Sequence, residues 1–507
     1  MAKKRDDRVK EKKLKGDREC NLDGDYPSLF RSYRDFTFEN IKAAIGHSRY
    51  VQILIFLICT GFFLRFYNLG FNSLWLDEAA TVSFASNSFS GIWDATTAGE
   101  FNPPLFYWVE HVMLMIGNNE IILRFIPALL GVLTIPLVYI VGREFVDRNV
   151  GLIAAAAFAF SPFLVFYSQE ARAYSMMLFF VTFGMVFYLK ALRAGDYKDW
   201  ILFGVFAALA FWSHFYALVI IGALFLYALA ISVAKVRRDP GSFKSLVLAL
   251  AVFTIICLPL ILVTMQLFGR RTATAPTFGI QGLGIITETF RQISMFSEPV
   301  MYFLIILFII GIIQLFLKDK NKAYFLCLLM ILVFVISYFM SFLIPMLPRY
   351  LIFLTLIFFL GIAVSYKPLY ALMNHPAVVY GLVLIMVILS VPALVNYYSG
   401  YSKEDWRGLS SQIQQITDPG DLVVVVPDYI SQPLDYYYSN ASDQTYEFGA
   451  NTGNELNAIT VRKGNATAYY IVTGDITAAN PDGDAVIWLK DHAHSLGQYT
   501  GIYIFSS

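Results

Sequence analysis

Two adjacent carboxylates, Asp77 and Glu78, follow the apolar triplet Leu74, Trp75 and Leu76 in a strongly apolar chain. A carboxylate pair beside apolar anchors is what a general base working at a membrane surface needs. Partial desolvation raises its proton affinity, and a nearby cation keeps it ionised until a substrate arrives. The same two residues also fit a structural part, with Asp77 capping a helix that begins at Glu78 and Glu78 favourable in its first turn. Glu100, Glu170, Arg172, His214 and Arg349 fall, like the pair, beside the C-terminal ends of odd-numbered apolar runs or in the loops that follow them.

Those runs must position the charges. About 20 apolar residues cross a hydrocarbon core of roughly 30 Å, and eleven such runs are legible: 50–68, 121–142, 150–168, 173–194, 199–213, 215–235, 245–267, 300–317, 323–345, 349–366 and 378–395. The fifth is short. A composition of 57% hydrophobic and 15% charged residues suits an α-helical polytopic membrane protein and excludes a soluble enzyme of this length. Nothing in it points to nucleic acid.

Lys and Arg in short loops stay cytoplasmic. The segment 1–49 holds 13 of them, and the even-numbered loops repeat the bias with Arg143 and Arg148, Lys190 to Lys198, Lys235 to Lys244, Lys318 to Lys322, and Lys367. The N-terminus is therefore expected inside, and eleven crossings put residues 396–507 outside the cytoplasm. That segment carries five Lys and Arg against thirteen Asp and Glu between 400 and 507. The basic tail, with nine acidic residues among its charges, serves as a topology signal or touches anionic lipid. No cleavable signal peptide is expected, because a tail of 49 residues without a long apolar run precedes the first span. None of the four cysteines lies in 396–507, so that segment has no disulfide of its own.

The division is thus a basic tail (1–49), a transmembrane domain (50–395) and an extracytoplasmic domain (396–507). The first outer loop, 69–120, is too long for a simple connection. Its stretch from Pro103 to Ile116 is apolar at helical spacing and too short to span, which predicts an interfacial helix. A second outer segment, 268–299, has glycines and an amphipathic run that predict a mobile interfacial loop. In the tail domain SKEDWRGLSSQIQQI and DAVIWLKDHAHSL read as helices, and LVVVVP, TAYYIVTG and TGIYIFS as strands, which argues a small α/β layer. Asn440-Ala-Ser and Asn465-Ala-Thr fit the glycosylation acceptor pattern.

The ordered set LWLDEA, NPPLFYW, SQEARAY, a His ending the fifth run and PRYL opening the tenth resembles the GT-C glycosyltransferases. The similarity is to dolichyl-phosphate-mannose protein mannosyltransferases and aminoarabinose lipid A transferases, which use polyprenyl-phosphate sugars. It covers roughly 50–395, and YSKEDWRGLSSQI through PGDLVVV to PLDYYY resembles the tail domain of many members.

The resemblance implies transfer of a sugar from a lipid monophosphate to an acceptor outside the cytoplasm, usually with inversion. Asp77 matches the family's base, and Glu78 would orient the acceptor or the base. The acceptor hydroxyl loses a proton as the bond from the anomeric carbon to the phosphate breaks. No second acid is required, because the leaving group departs already anionic. The phosphate needs positive charge aimed at it, and Arg172, Arg349, Arg270 and Arg271 are the candidates, each otherwise a snorkelling anchor. Glu100, Asn102, Glu170, Tyr174 and Tyr350 are expected to touch substrate. Glu100, Glu170 and His214 could together hold a divalent ion, or His214 is an interfacial His whose hydrogen bonds are satisfied. Relatives often carry Lys or His where Asn102 stands, and Asn donates hydrogen bonds without neutralising charge.

A transporter, flippase or polymerase of lipid-linked glycan would also have many spans. Such proteins place binding charges near the bilayer midplane and often show internal repeats, whereas charge here gathers at one surface. A non-catalytic membrane scaffold is a third class. The expected partners are a polyprenyl-phosphate sugar, membrane lipids and an acceptor that is glycan, lipid or protein.

Overall fold

The computed structural model describes residues 20–23, 45–235, 240–274, 276–438 and 446–507. Most of the basic tail, Arg237 and Arg238, and the Asn440 sequon lie outside them. Each of the eleven apolar runs is helical. In chain order the helices are α1 (Arg49–Phe66), α2 (Leu76–Ala85), α3 (Phe89–Ala98), α4 (Pro104–Leu114), α5 (Glu120–Phe145), α6 (Arg148–Phe160), α7 (Pro162–Ser168) and α8 (Tyr174–Ala194). They continue with α9 (Tyr197–Ser213), α10 (Ala217–Lys235), α11 (Pro240–Arg271), α12 (Leu283–Ile293), α13 (Glu298–Lys318), α14 (Lys320–Met340), α15 (Leu354–Val364), α16 (Tyr366–Met373) and α17 (Ala377–Tyr398).

Among the described residues nine helical stretches are long and apolar enough to cross a membrane, and ten if the bent pair α6 and α7 counts as one. The fifth run forms a helix of 17 residues, just short of that length. The third is broken by 59°. Proline explains the break, since Pro162 has no N–H to donate back to the Phe158 carbonyl. Arg65, itself 0% exposed, takes over by donating to Phe158 O at 3.1 Å and Ala159 O at 3.0 Å. The tenth run starts later than expected, because Pro348–Leu351 is a 3-10 turn ahead of α15.

Two compact units emerge. One comprises residues up to Tyr67, Trp93–Phe106 and Ile126–Val395, and is called here the membrane unit. Its core centres on α6 and on α15, whose residues from Leu354 to Val364 are all buried. Small residues allow backbones to approach closely there: a Cβ on Gly311 of α13 would collide with the Gly361 carbonyl of α15. The segment expected as a mobile loop holds α12 and is tied down ahead of it. Ile280 N donates to Met346 O at 2.8 Å, and Gly282 N to Ser341 Oγ at 2.9 Å. Gly279 combines φ +101° with a Cβ position only 2.7 Å from Met346 N, so no other residue fits without strain.

The second unit comprises Asn68–Ile92, Tyr107–Phe125 and Asn396–Ser507. Much of the first loop, assigned from sequence to the transmembrane domain, thus groups with the C-terminal region. That region adds α18 (Trp406–Ile416), α19 (Ser431–Tyr437), α20 (Gly453–Lys463), α21 (Ile476–Ala479) and α22 (Asp484–His492). Its five strands are β1 (Leu422–Val426), β2 (Tyr446–Gly449), β3 (Ala468–Thr473), β4 (His494–Tyr499) and β5 (Ile502–Ser506), in the order β2-β1-β3-β5-β4. The all-apolar β1 is the buried parallel strand its sequence calls for, flanked by β2 and β3, while β5 and β4 run antiparallel. Two departures appear. The expected helix DAVIWLKDHAHSL stops at His492 and HSLGQY is strand β4; the strand YEFG was not foreseen. On one face Val424 packs with Leu456 and Trp488; on the other Val423 packs with Trp406, Leu409 and Leu434, and Leu76 of α2 joins that second layer.

Candidate active site

In the second unit Asp77 and Glu78 both lie in the first turn of α2, which starts at Leu76. Asp77 therefore does not cap a helix beginning at Glu78. Trp75 holds the N-cap position and supplies no side-chain acceptor. Asp77 is partly exposed, and its carbonyl accepts from Thr81 Oγ1 at 3.0 Å.

Glu78 is fully buried, and its carboxylate is held by two cations. Arg124 donates from Nε to Oε1 at 2.8 Å and from Nη2 to Oε2 at 2.7 Å; Lys403 Nζ reaches Oε2 at 3.2 Å. A bidentate guanidinium is the strongest partner a carboxylate has. Glu78 thus adjoins Asp77 in the chain and, being enclosed, has no surface left for an acceptor.

Glu110 of α4 is also 0% exposed, and neither of its carboxyl oxygens finds a hydrogen-bond partner among the described residues. Burial, and secondarily the Glu78 charge, push its carboxyl well above the usual carboxylate range. Arg124, Lys403 and Glu110 all escaped the sequence reading. Arg124 opens the second apolar run, where an Arg passes for an anchor, and Glu110 breaks an otherwise apolar face of α4.

In the membrane unit a cavity of about 340 Å³ is lined by Asn102, Arg172, His214, Tyr216, Arg271 and Tyr350. Leu218, Leu267, Phe268, Ile336, Met340 and Ile344 line it as well. It pairs two guanidinium groups with a long apolar wall. The adjacent arginines separate: Arg271 lines the cavity while Arg270 is exposed and does not. Arg271 Nη2 donates to Gly99 O at 2.8 Å and Glu100 O at 2.7 Å, and its guanidinium lies 4.5 Å from the Phe101 ring. It thus fixes the backbone leading to Asn102, whose Nδ2 lies 3.5 Å from Glu100 Oε1.

Arg172 and Glu170 lie in a turn between α7 and α8, where the Arg172 N–H donates to the Glu170 carbonyl at 2.7 Å. Arg349, in the 3-10 turn, stands 5.9 Å from the Tyr174 ring and 5.7 Å from the Tyr350 ring. Neither Arg349 nor Tyr174 nor Glu170 is part of the cavity lining. Tyr216, unforeseen, stacks on Tyr350 at 4.7 Å, and its hydroxyl donates to the Pro345 carbonyl.

His214, at the C-cap of α9, is 2% exposed. The Tyr216 amide must donate to its Nδ1, at 3.3 Å, so the proton of the neutral ring sits on Nε2. Burial first, and then the Arg172 and Arg349 charges, push its pKa down to about 3. Nε2 has no hydrogen-bond partner among the described residues and is left as a neutral donor. An Nε2–H cannot ligate a metal. The expected trio of Glu100, Glu170 and His214 does not assemble either, for among the described residues no three His, Cys, Asp or Glu side chains are grouped to hold an ion. No metal-assisted step follows from these residues.

The family model for dolichyl-phosphate-mannose-protein mannosyltransferases matches residues 102–261. An uncharacterized protein of Aquifex aeolicus is 29% identical over 154 residues, which are 27% of this chain and about 30% of that protein. Apo ArnT from Cupriavidus metallidurans is similar in structure, with TM-score 0.59 and 13% identity over 89% of this chain and 97% of that one. ArnT bound to undecaprenyl phosphate gives a TM-score of 0.55, also at 13% identity, over 89% of this chain and 97% of that one. AglB from Archaeoglobus fulgidus, in complex with an inhibitory peptide and a dolichol-phosphate, gives 0.51 at 13% identity, over 91% of this chain and 74% of that one.

Proposed function

The chain has the fold of the GT-C glycosyltransferases, and on that premise we propose that it moves a sugar from a polyprenyl monophosphate to an acceptor hydroxyl on the extracytoplasmic face, with inversion. The observation that carries this reading is the cavity of the membrane unit, where Arg172 and Arg271 share one space with the apolar side chains of Leu218, Leu267, Ile336 and Met340. An anionic head and a long apolar tail are what such a lining can hold. ArnT and AglB, solved with undecaprenyl phosphate and dolichol-phosphate, bind ligands of that build. The basic even-numbered loops support the outward orientation.

In this reading Arg172 and Arg271 hold the phosphate, and the Nε2–H of His214 and the amide of Asn102 add neutral donors. Arg349, beside the Tyr174 and Tyr350 rings, supplies further positive charge from outside the lining. The acceptor oxygen attacks the anomeric carbon, the bond from that carbon to the phosphate oxygen breaks, and the lipid phosphate leaves as an anion. The hydroxyl proton passes to Asp77, which Glu78 orients.

The test uses full-length protein in nanodiscs, a panel of polyprenyl-phosphate sugars, and Asp77→Asn. Transfer by the wild type, lost by at least about a hundredfold in the variant, is expected for a general base. Normal turnover by Asp77→Asn would remove its role. Translocation of lipid-linked glycan with no donor consumed would replace the enzyme by a transporter.

A further inference from the structure

We infer that Lys403, supplied by the segment that enters the C-terminal domain, is a positioning residue that holds Asp77 in register; the inference rests on reading Asp77 as the base. The segment 70–78 is stitched to residues 402–437 at nearly every second position. Ser402 N donates to Asn72 Oδ1 at 2.9 Å, Arg407 N to Ser73 Oγ at 3.2 Å, and Arg407 Nη2 to Gly70 O at 3.0 Å. Ser73 Oγ donates to Asp405 Oδ1 at 3.2 Å, and Tyr437 OH accepts the Leu74 N–H at 2.8 Å. The same Tyr437 hydroxyl donates to Glu120 at 2.6 Å. This run of contacts ends at the carboxylate one residue beyond Asp77.

The first turn of α2 has no side-chain cap, since Trp75 occupies that position. It is held instead from outside through Glu78. Arg124 already neutralises that carboxylate and satisfies both oxygens. A second, nearly buried ammonium 3.2 Å away is therefore more than charge balance requires. Lys403 also lies 5.5 Å from the Trp75 ring and so grips the turn on both sides of Asp77. With Trp75 and Glu78 held, and Leu76 packed into the sheet's second layer, the backbone that carries the partly exposed Asp77 is anchored on both sides. Coupling of this kind gives the C-terminal domain a part in the reaction without contact with substrate.

The test compares Lys403→Met and Lys403→Arg with wild type, all full-length in nanodiscs. Hydrogen exchange of the peptide covering 70–85 is expected to rise about tenfold in Lys403→Met and to stay near wild type in Lys403→Arg. Transfer kcat should fall about tenfold or more in Lys403→Met, with donor KM changed less than twofold and with recovery in Lys403→Arg, because a displaced base slows the chemical step. Unchanged exchange in Lys403→Met overturns the inference whatever the activity. Raised exchange with unchanged kcat overturns it too. If the wild type transfers from no donor, the functional reading fails by itself, and the exchange arm alone decides whether Lys403 holds the segment.

Discussion

Arg124 meets Glu78 edge to edge, and the guanidinium spends its remaining donors on the loop ahead of α2: Nη1 on Leu69 O and Asn72 O at 2.9 and 2.8 Å, Nη2 on Ser73 O at 3.0 Å. All five N–H groups are used, on a side chain 2% exposed. Lysine has three donors and no planar fork. With Lys403 still on Glu78 Oε2, Arg124→Lys leaves at least one buried acceptor without a partner, at a cost of about 1 to 3 kcal/mol. A lowered apparent Tm of the purified protein checks this, and melting identical to wild type would contradict it.

Glu110 titrates in the opposite sense from a salt-bridged carboxylate. Its folded pKa is raised, so the stability associated with its neutral form is fully present below the ordinary value near 4.5 and is lost as pH rises towards the folded value. Glu110→Gln imitates the neutral form at every pH. The variant should melt with the wild type near pH 4 and above it at pH 7 to 8, the gap widening by up to about 1.4 kcal/mol per pH unit within the window. Parallel melting curves from pH 4 to 8 would show that the fold does not raise the Glu110 pKa.

Much of this was legible in the chain because hydrocarbon imposes a length rule that hydropathy reads directly, and the apolar runs are helical, the third broken at Pro162 and the tenth opening with a 3-10 turn. Asp77 and Arg349 stood out because charge beside such runs is costly. What stayed hidden has a common cause: long-range partners leave no local pattern. Arg124 and Lys403 are 46 and 325 residues from Glu78, and each looks locally like an anchor or a solvated lysine. The proposed metal trio failed for the converse reason, since residue types alone do not say which ring nitrogen of His214 the Tyr216 amide occupies. The first half of β4, His494 to Leu496, was read as helix because Leu496 continues the spacing of Trp488, Leu489 and His492, whereas pairing with β5 decides its state.

Helix phase, invisible in a pair of adjacent arginines, gives the sharpest test of the cavity. Neighbouring positions on a helix point about 100° apart, and at the end of α11 this turns Arg271 into the cavity and leaves Arg270 exposed. Arg271→Ala removes a guanidinium from the proposed phosphate site and its donors from Gly99 O and Glu100 O. The expected result is a donor KM raised about ten- to a hundredfold, the effect of losing one charge-assisted hydrogen bond of about 1.5 to 3 kcal/mol. Arg270→Ala should leave donor KM within about twofold, because an exposed cation near a membrane contributes little beyond screened attraction. Titrating both variants with a polyprenyl-phosphate sugar, or with the free polyprenyl phosphate as a competitor, separates them. Equal losses from both would mean that the arginines act through surface charge and that the cavity is not where the phosphate binds.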